Sequence, residues 1–202
     1  RDQPRSRGLG DVYKRQVLII GGGASGVTSG IQSARMGANT LILEESTWLG
    51  GMLTSAGVSA VDGNYRLPAG LWGEFKNRLS DYYGGLDSLK TGWVSNVLFE
   101  PSVGNKILHE MVAAENNLKV WKQACLEEVK RTGDEWVAKV KVEGQGVKTV
   151  RAKVMIDATE LGDVAKICGV KYDIGMESRD DTHEDIAPEK KNNICLLYTS
   201  PS

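Results

Sequence analysis

A glycine-rich turn between a buried strand and a helix is the feature that most restricts the fold. Val17–Ile20 is a short apolar run typical of a strand buried on both faces of a parallel sheet, and Gly21–Gly26 follows it with the spacing G-x-G-x-x-G. Apolar residues then recur at helical spacing from Val27 to Gly37, and Thr40–Leu43 is a second apolar run. This order predicts a β-α-β unit with a right-handed crossover.

Three glycines of this turn have distinct mechanical roles in a dinucleotide-binding unit. Gly21 allows the tight turn, Gly23 lets the backbone approach a pyrophosphate, and Gly26 lets the helix pack closely on the strand. The first helical turn, with Ala24 and Ser25, points unpaired N–H groups and the positive end of the helix dipole at the phosphates. We therefore predict that these five residues bind a dinucleotide.

An acidic pair closes the second strand. Glu44 stands where a carboxylate accepts hydrogen bonds from both ribose hydroxyls of an adenosine and repels a 2′-phosphate, which disfavours NADP. Glu45 follows it and is assigned to the same site. The structural alternative, a turn that only joins packed elements, has no use for three consecutive glycines.

The rest of the chain changes from loop to helix and then to a period of two. Ser46–Pro68 has no convincing periodicity and is predicted to be loop, whereas Leu71–Tyr82 and the residues after Pro101 have helical spacing. Short segments within Leu118–Val150 alternate apolar with charged residues between turns, which predicts an antiparallel meander. Lys153–Ile156 is an apolar run predicted to rejoin the parallel sheet.

The loop after the second strand bears on the choice between NAD and FAD. Gly50 and Gly51 precede Met52 there, and a Gly-Gly pair lets main chain run against a dinucleotide without side-chain interference. This loop and the meander resemble the FAD-binding domain of the glutathione-reductase type. Residues 50–54 and 157–163 also resemble a broad family of FAD-dependent oxidoreductases that pairs a G-G-M-x-T segment with a later D-A-T-G-x-G-D segment, and 67–75 is similar to that family's segment after the flavin loop.

The resemblance implies FAD as cofactor, lying with its pyrophosphate on the first helix. Together with the elements above it implies an α/β fold, an FAD/NAD(P)-binding Rossmann-like three-layer fold with a parallel sheet and an inserted antiparallel β-meander. Carried over residue by residue, it adds to the cofactor site Gly50, Gly51, Met52, Leu126, Asp157, Ala158, Thr159 and Asp163.

Three positions in the later segments leave alternatives open. Glu160 stands where the family commonly has glycine, so the turn at 158–159 has no free positive φ there and an acid is brought near the cofactor. Asp163 is also suited to capping a helix start, and Leu126 is also suited to an ordinary core position.

The leading functional hypothesis is an FAD-dependent oxidoreductase that transfers a hydride between a small-molecule substrate and flavin N5. No catalytic residue is named, because the residues facing the flavin ring come largely from later sequence in this fold. The alternatives are an NAD-dependent Rossmann dehydrogenase and a non-redox module that binds FAD or another adenine nucleotide.

Composition excludes several other classes. Lys and Arg number 25 against 26 Asp and Glu, so the formal net charge of −1 gives no footprint for nucleic acid. No apolar run is long enough for a membrane-spanning helix, and we expect a soluble protein, cytoplasmic by default, with the compartment and the oligomeric state unassigned.

Cysteine and histidine positions offer no metal or redox site. Cys125 and Cys168 are far apart and are expected to be buried thiols. His183 lies in an acidic stretch without ligand spacing, which predicts a solvated loop, and His109 is expected to be a surface or partner-satisfied side chain.

Both ends of the chain differ in character from the middle. Asp11–Gln16 and Cys195–Ser200 can be back-translated into near reverse complements that resemble a transposase sequencing adapter. We therefore expect residues 1–16 and 195–202 to be translated adapter. Residues 17–194 are then an incomplete FAD-binding domain that lacks most of a substrate domain.

Overall fold

The structure, a computed structural model, describes residues 12–63, 65–93, 95–172 and 174–192. The chain divides into two compact units, Arg1–Cys168 and Gly169–Ser202. The strands are β1 (Val12–Ile20), β2 (Thr40–Glu44), β3 (Leu118–Lys122), β4 (Ala124–Thr132), β5 (Glu135–Val142) and β6 (Gly146–Asp157). The helices are α1 (Ala24–Arg35), α2 (Gly70–Tyr83), α3 (Pro101–Ala113), α4 (Asp163–Ile167) and α5 (Arg179–Thr182), with 3₁₀ turns at Gly51–Leu53 and Leu86–Leu89.

One six-stranded sheet in the order β3-β2-β1-β6-β5-β4 organises the first unit. The pairs β3·β2, β2·β1 and β1·β6 are parallel, and β6·β5 and β5·β4 are antiparallel. Leu18 is the centre of the parallel register, opposite Leu41 on one side and Met155 on the other. The predicted β-α-β unit is therefore present, and α1 is its crossover helix.

The two faces of this sheet carry separate apolar cores. Ile19 and Ile42 pack with α1, α2 and α3 on one face. Leu18 and Leu41 pack on the other face with residues of β4, β5 and β6, including Val140. β2 contacts β4 although β1, β6 and β5 separate them in the strand order, so the antiparallel part folds back over the parallel part. The result is helix, sheet and meander in three layers, which confirms the predicted α/β Rossmann-like fold.

Two strand assignments made from the sequence were wrong. β3 is not part of the meander, because Leu118 pairs in parallel with Thr40. An edge strand of a parallel sheet is only partly covered, so it alternates like a meander strand. The predicted last meander strand and the predicted returning strand are a single strand, β6, because no turn residue interrupts Val150–Ile156.

The start of β1 was also misplaced, since the strand begins at Val12 rather than Val17. Its first residues pair with the long strand β6, with Val12 opposite Thr149 and Arg15 opposite Ala152. These first residues are exposed or half-exposed and form no continuous apolar run, so the sequence pattern did not predict this part of the strand. An adapter origin for residues 1–16 and 195–202 stays a prediction, as does the domain boundary at 17–194; residues 1–11 and 193–202 lie outside the described residues.

Two contacts within the second unit connect residues that are separated in its sequence. Met176 and Asn192 form an antiparallel bridge, and the Arg179 guanidinium donates to the Asp185 carbonyl at 3.0 Å. His183 ends α5 in the left-handed region with φ 58°. Within the described parts of both units, no group of three or more His, Cys, Asp or Glu residues is placed to hold a metal ion, and no helix is long and apolar enough to cross a membrane.

Candidate cofactor site

A cleft of about 890 Å³ lies where the carboxyl ends of β1, β2 and β6 meet. Ligand clefts of open α/β sheets occur at this edge, where strand order reverses. Its volume is in the range usual for cofactor sites. The lining residues are Ile20, Gly21, Gly22, Gly23, Ala24, Ser25, Leu43, Glu44, Glu45, Gly50, Gly51, Met52, Ala124, Leu126, Ala158, Thr159, Glu160, Leu161 and Asp163.

The sequence-predicted residues converge on this cleft. All of them line it except Gly26 and Asp157, which lie behind the lining and hold it in place. The lining residues that the sequence did not single out are Ile20, Gly22, Leu43, Ala124 and Leu161, whereas Glu160 was expected near the cofactor. Leu43 and Ile20 could have been found, because each is the last apolar residue of a strand that leads into the site.

The glycines of the first turn differ in what surrounds them. Gly21 has φ +101°, and a Cβ on it would lie 2.4 Å from the Ala158 carbonyl oxygen. A Cβ on Gly26 would lie 1.9 Å from the Gly21 carbonyl oxygen. A Cβ on Gly23 would have nothing within 4 Å. Gly21 and Gly26 are therefore required by packing within the protein, whereas Gly23 leaves open space on the cleft side.

The N-terminus of α1 opens into the same space. Gly23 is its N-cap, no side chain caps the helix, and the first helical bond runs from the Val27 N–H to the Gly23 carbonyl at 2.9 Å. The preceding N–H groups have no intrahelical acceptor. Ala24 and Ser25 are exposed and line the cleft, so the positive end of a twelve-residue helix faces it.

A second glycine loop runs beside the first. The Gly50 N–H donates to the Gly22 carbonyl at 2.9 Å, and Gly50 pairs with Gly23 as an isolated parallel bridge. A Cβ on Gly51 would lie 3.2 Å from Gly23 Cα. The two loops therefore form one surface of bare backbone.

Glu44 connects these two loops. Its Oε2 accepts a hydrogen bond from the Gly22 N–H at 2.8 Å, and its Oε1 accepts one from the Ser46 N–H at 2.7 Å. A carboxylate oxygen accepts more than one hydrogen bond, so both oxygens keep capacity for ribose hydroxyls. Glu45 is exposed and lines the cleft beside it.

Asp157 organises the turn at the end of β6. Its Oδ1 accepts from the Thr159 hydroxyl at 2.6 Å and from the Thr159 N–H at 3.0 Å, and its Oδ2 accepts from the Ala165 N–H at 2.8 Å. Partial burial raises the pKa of this carboxyl, but the hydrogen bonds from Thr159, Ala165 and Val164 outweigh burial and hold the pKa below its ordinary value. Asp157 thus positions Ala158 and Thr159 without lining the cleft.

The acidic residues after this turn differ from expectation. Asp163 is the first residue of α4 and Gly162 is its N-cap. The first-turn N–H groups of Asp163 and Ala165 donate to Thr159 Oγ1 at 2.9 Å and to Asp157 Oδ2 at 2.8 Å, not to the Asp163 side chain, so the capping interpretation of Asp163 was wrong. Glu160 needs no positive φ, because the left-handed residue of this turn is Gly162, with φ +70°. Both acidic side chains are exposed and line the cleft.

Leu126 fits both of its sequence interpretations. It packs against the meander core while it also lines the cleft with Ala124. Cys125, between them, points the other way and is exposed, as is Cys168, so the expectation of buried thiols was wrong. Alternation along β4 explains the exposure of Cys125. Partial burial and nearby Glu45 raise the pKa of the Cys125 thiol.

All charged side chains in the described lining of the cleft are acidic. The described lining includes Glu44, Glu45, Glu160 and Asp163, and it includes no Lys, Arg or His. Backbone N–H groups and the α1 dipole are therefore the positive features of the lining. The local field favours a ligand whose polar groups donate hydrogen bonds at the Glu44 end.

Comparison with known proteins identifies the family and its cofactor. The sequence model of the family "FAD dependent oxidoreductase" matches residues 16–196. The chain belongs to this family. FAD is therefore its cofactor, and the NAD-dependent alternative is not supported. A comparison with curated proteins found no significant match.

Solved structures show the same fold at low sequence identity. A flavoprotein/dehydrogenase from Cytophaga hutchinsonii aligns with TM-score 0.58 and 16% identity, over 78% of this chain and 42% of that one. An anhydrotetracycline hydroxylase from Streptomyces rimosus aligns with TM-score 0.58 and 14% identity, over 81% and 36%. The p-nitrophenol 4-monooxygenase of Pseudomonas putida aligns with TM-score 0.54 and 14% identity, over 82% and 46%. The chain spans less than half the length of each.

The cleft of this FAD-dependent oxidoreductase fits its cofactor. The open side of Gly23 and the bare N-terminus of α1 suit a pyrophosphate, because side chains there would occupy its place. Glu44 retains acceptor capacity for ribose hydroxyls at the end of β2. Leu43, Ala124 and Leu126 give that end apolar walls suited to adenine.

Proposed function

We propose that this family member oxidises or reduces a small-molecule substrate by hydride transfer between a substrate carbon and N5 of FAD. When bound, FAD supplies the two-electron redox chemistry, while the protein supplies position and electrostatics. The residues proposed to form the FAD site are Gly21, Gly23, Ala24, Ser25, Gly26, Glu44, Glu45, Gly50, Gly51, Met52, Leu126, Asp157, Ala158, Thr159 and Asp163, of which Gly26 and Asp157 support the lining from behind it.

The observation that carries this proposal is the pairing of Gly23 with Gly50. The first glycine loop alone would serve any dinucleotide, but the second loop extends the bare backbone surface along the cleft to Met52. An extended cofactor with a ring system beyond its pyrophosphate has a use for that extension. Met52 is half-exposed and is the side chain that we place nearest the redox-active ring.

The chain's own residues have three tasks in this proposal. Ala24 and Ser25 donate backbone hydrogen bonds to the pyrophosphate, and Glu44 orients the adenosine ribose. The Asp157 and Thr159 hydrogen bonds fix the turn that closes the opposite wall. The proposal assigns neither proton transfer nor substrate selection to these groups.

Anaerobic reduction of the bound flavin tests the hydride-transfer proposal. Candidate alcohols, amines and carbon acids are added without oxygen and without nicotinamide, and flavin absorbance is followed. The proposal expects one class of compound to bleach the flavin, with a primary isotope effect when the reacting C–H is deuterated, or to restore the absorbance of flavin that was first reduced with dithionite, in the absence of oxygen. A flavin bleached by reduced nicotinamide alone, with the organic compound acquiring oxygen only when air is admitted, would contradict it.

A purely structural role for FAD is the remaining alternative. It predicts that the protein binds stoichiometric flavin, that chemical reductants bleach this flavin, and that no organic compound reacts with it. Rapid mixing with dithionite provides the control, since it shows that the bound ring is accessible to electrons. Reduction by dithionite together with failure of every compound class would favour the structural role.

A further inference from the structure

A second cleft, of about 520 Å³, lies beside α2 in the first unit. Its walls come from the loop before α2, from α2 itself, from the 3₁₀ turn Leu86–Leu89 and from the segment before α3. It shares no lining residue with the cofactor cleft. The lining residues are Tyr65, Arg66, Pro68, Lys76, Asn77, Leu86, Asp87, Lys90, Asn96 and Val97.

Lys76 is the unusual residue of this cleft, because its side chain is charged and only 5% exposed. Its ammonium donates to the Tyr65 carbonyl at 2.6 Å and to the Leu67 carbonyl at 2.8 Å, and it lies 5.8 Å from the centre of the Trp72 ring. Among the ion pairs of the described residues, none includes Lys76. A buried cation without a counter-charge is costly.

The two carbonyls use two of the three hydrogen-bond donors of the Lys76 ammonium. Neutral carbonyls orient the group but leave its positive charge uncompensated. The third donor and the net charge are both suited to an anion that enters the cleft. Lys76 therefore has the two properties of an anchor for an anionic group: a fixed position and an unmatched charge.

Two further cations stand at the rim of the same cleft. The Arg66 guanidinium lies over the Tyr65 ring at 5.5 Å, and it donates to the Tyr65 phenol oxygen at 3.3 Å. Lys90 pairs with Asp87 at 2.9 Å, but the Asp87 side chain is 96% exposed, so this pair is largely solvated. The described lining thus holds three cations and one anion, in a chain whose overall net charge is −1.

Amide groups complete the set of donors. Asn77 and Asn96 line the cleft, and the amide of each carries two N–H donors. If the cleft only fixed the loop at residues 65–67 against α2, the two hydrogen bonds of Lys76 would be sufficient. Neither Arg66, Lys90 nor the two amides is needed for that purpose, and their convergence on one concave surface indicates a ligand.

We propose that this second cleft binds the carboxylate or phosphate group of a small molecule. Lys76 is the buried anchor, Arg66 and Lys90 neutralise the remaining charge from the rim, and Asp87 limits affinity by competing for Lys90. Because the two clefts share no lining residues, the proposal for the second cleft does not depend on the proposed flavin chemistry.

Calorimetric titration of the FAD-loaded chain tests the proposal. Inorganic phosphate and malonate are the two probes, each titrated at constant ionic strength maintained with sodium chloride. FAD is added first so that the glycine turn of α1 does not contribute a phosphate site, and the titration is repeated without FAD. We expect one saturable site per chain for at least one probe, and the probe that binds more tightly identifies the class of anion.

Variants separate a built site from diffuse positive charge. Arg66→Ala and Lys90→Ala are each expected to weaken binding by roughly two- to fivefold, as for one solvent-exposed charge pair, and Asp87→Asn is expected to strengthen it by a similar factor. Lys130→Ala, on the exposed side of β4, is the matched control and should leave affinity unchanged. Lys76→Met is expected to abolish binding, and its far-ultraviolet circular dichroism and thermal denaturation show whether the variant is folded.

Three results would overturn the proposal. One is the absence of saturable binding for both probes. Another is an equal loss of affinity in Lys130→Ala and in the rim variants, which would show only a general charge effect. The third is full binding in a folded Lys76→Met variant, because the buried cation would then have no part in the site.

Discussion

The Glu44 carboxylate accepts two backbone hydrogen bonds, one from the Gly22 N–H to Oε2 at 2.8 Å and one from the Ser46 N–H to Oε1 at 2.7 Å. Gly22 belongs to the first glycine loop, and Ser46 begins the segment that leads to the second. One side chain therefore sets the spacing of the two backbone surfaces that we propose hold FAD.

Replacing Glu44 should damage both the cleft and the fold. Glu44→Ala leaves the Gly22 and Ser46 N–H groups without their acceptor and removes the partner of the ribose, so we expect FAD affinity to fall by about 1–3 kcal/mol. Fluorescence titration with FAD measures this loss, and urea denaturation measures the accompanying loss of stability. Glu127→Gln, on an exposed part of β4 outside the cleft, is the control. Equal affinities for FAD in wild type and Glu44→Ala would remove Glu44 from the site.

An added side chain should affect FAD binding at Gly23 and the stability of the fold at Gly26. Gly23 has φ −63°, which any residue adopts, and its Cβ would face open space, so Gly23→Val should fold normally and lose FAD binding by steric exclusion. Gly26→Ala places a Cβ against the Gly21 carbonyl oxygen and should lower the free energy of unfolding by about 1–3 kcal/mol. Thermal denaturation without FAD and flavin binding at low temperature separate the two effects. A Gly23→Val protein that retains stoichiometric flavin would refute the assigned role of Gly23.

Removing an acidic side chain from the cleft should tighten FAD binding. Glu160 lines a cleft whose described side chains carry negative charge and no positive charge, and FAD brings a doubly negative pyrophosphate. Glu160→Gln should therefore raise affinity by roughly two- to fivefold, and added salt should raise the affinity of the wild type by screening the same repulsion. Dissociation constants measured from low to moderate ionic strength check both effects. A fall in affinity in Glu160→Gln would show that Glu160 contributes a favourable contact, and a fall on adding salt would show that attraction between FAD and the site outweighs the repulsion.

The lowered pKa of Asp157 makes the stability of the β6 turn depend on pH. The folded-state pKa lies below the unfolded value, so the native state binds fewer protons, and its stabilisation is complete above the unfolded pKa of about 3.9. That stabilisation is lost as pH falls through the folded pKa. Asp157→Asn should be less stable than wild type at pH 7, and the difference should shrink as the solution is acidified below about pH 4. Urea denaturation at several pH values measures it, and a difference that is constant with pH would contradict the carboxylate's role.

The parts of the site that lie in local sequence patterns could be predicted. The spacing from Gly21 to Gly26 and the pair Gly50–Gly51 place backbone turns directly after strands, and strand ends of a parallel sheet converge at one edge. Glu44 ends β2 and lines the cleft, but its hydrogen bonds to Gly22 and Ser46 were missed. Those bonds depend on the distance between two loops, which no spacing within one segment encodes.

The errors in the fold also have physical causes. β3 is half-exposed, so its alternation imitates that of a meander strand, whereas the first residues of β1 were missed because they form no continuous apolar run. The exposure of Cys125 follows from which face of β4 is covered, and that depends on the meander folding over β1 and β2. The second cleft was missed because Arg66, Lys76 and Lys90 come from separate segments that only the packing of α2 brings together.

A crystal structure of the protein loaded with FAD tests the central claim most directly. The account predicts pyrophosphate oxygens at about 3 Å from the backbone nitrogens of Ala24 or Ser25, with the adenosine ribose against Glu44 and the ring system directed toward Met52. A pyrophosphate elsewhere, with Gly23 and the N-terminus of α1 facing only solvent, would contradict it.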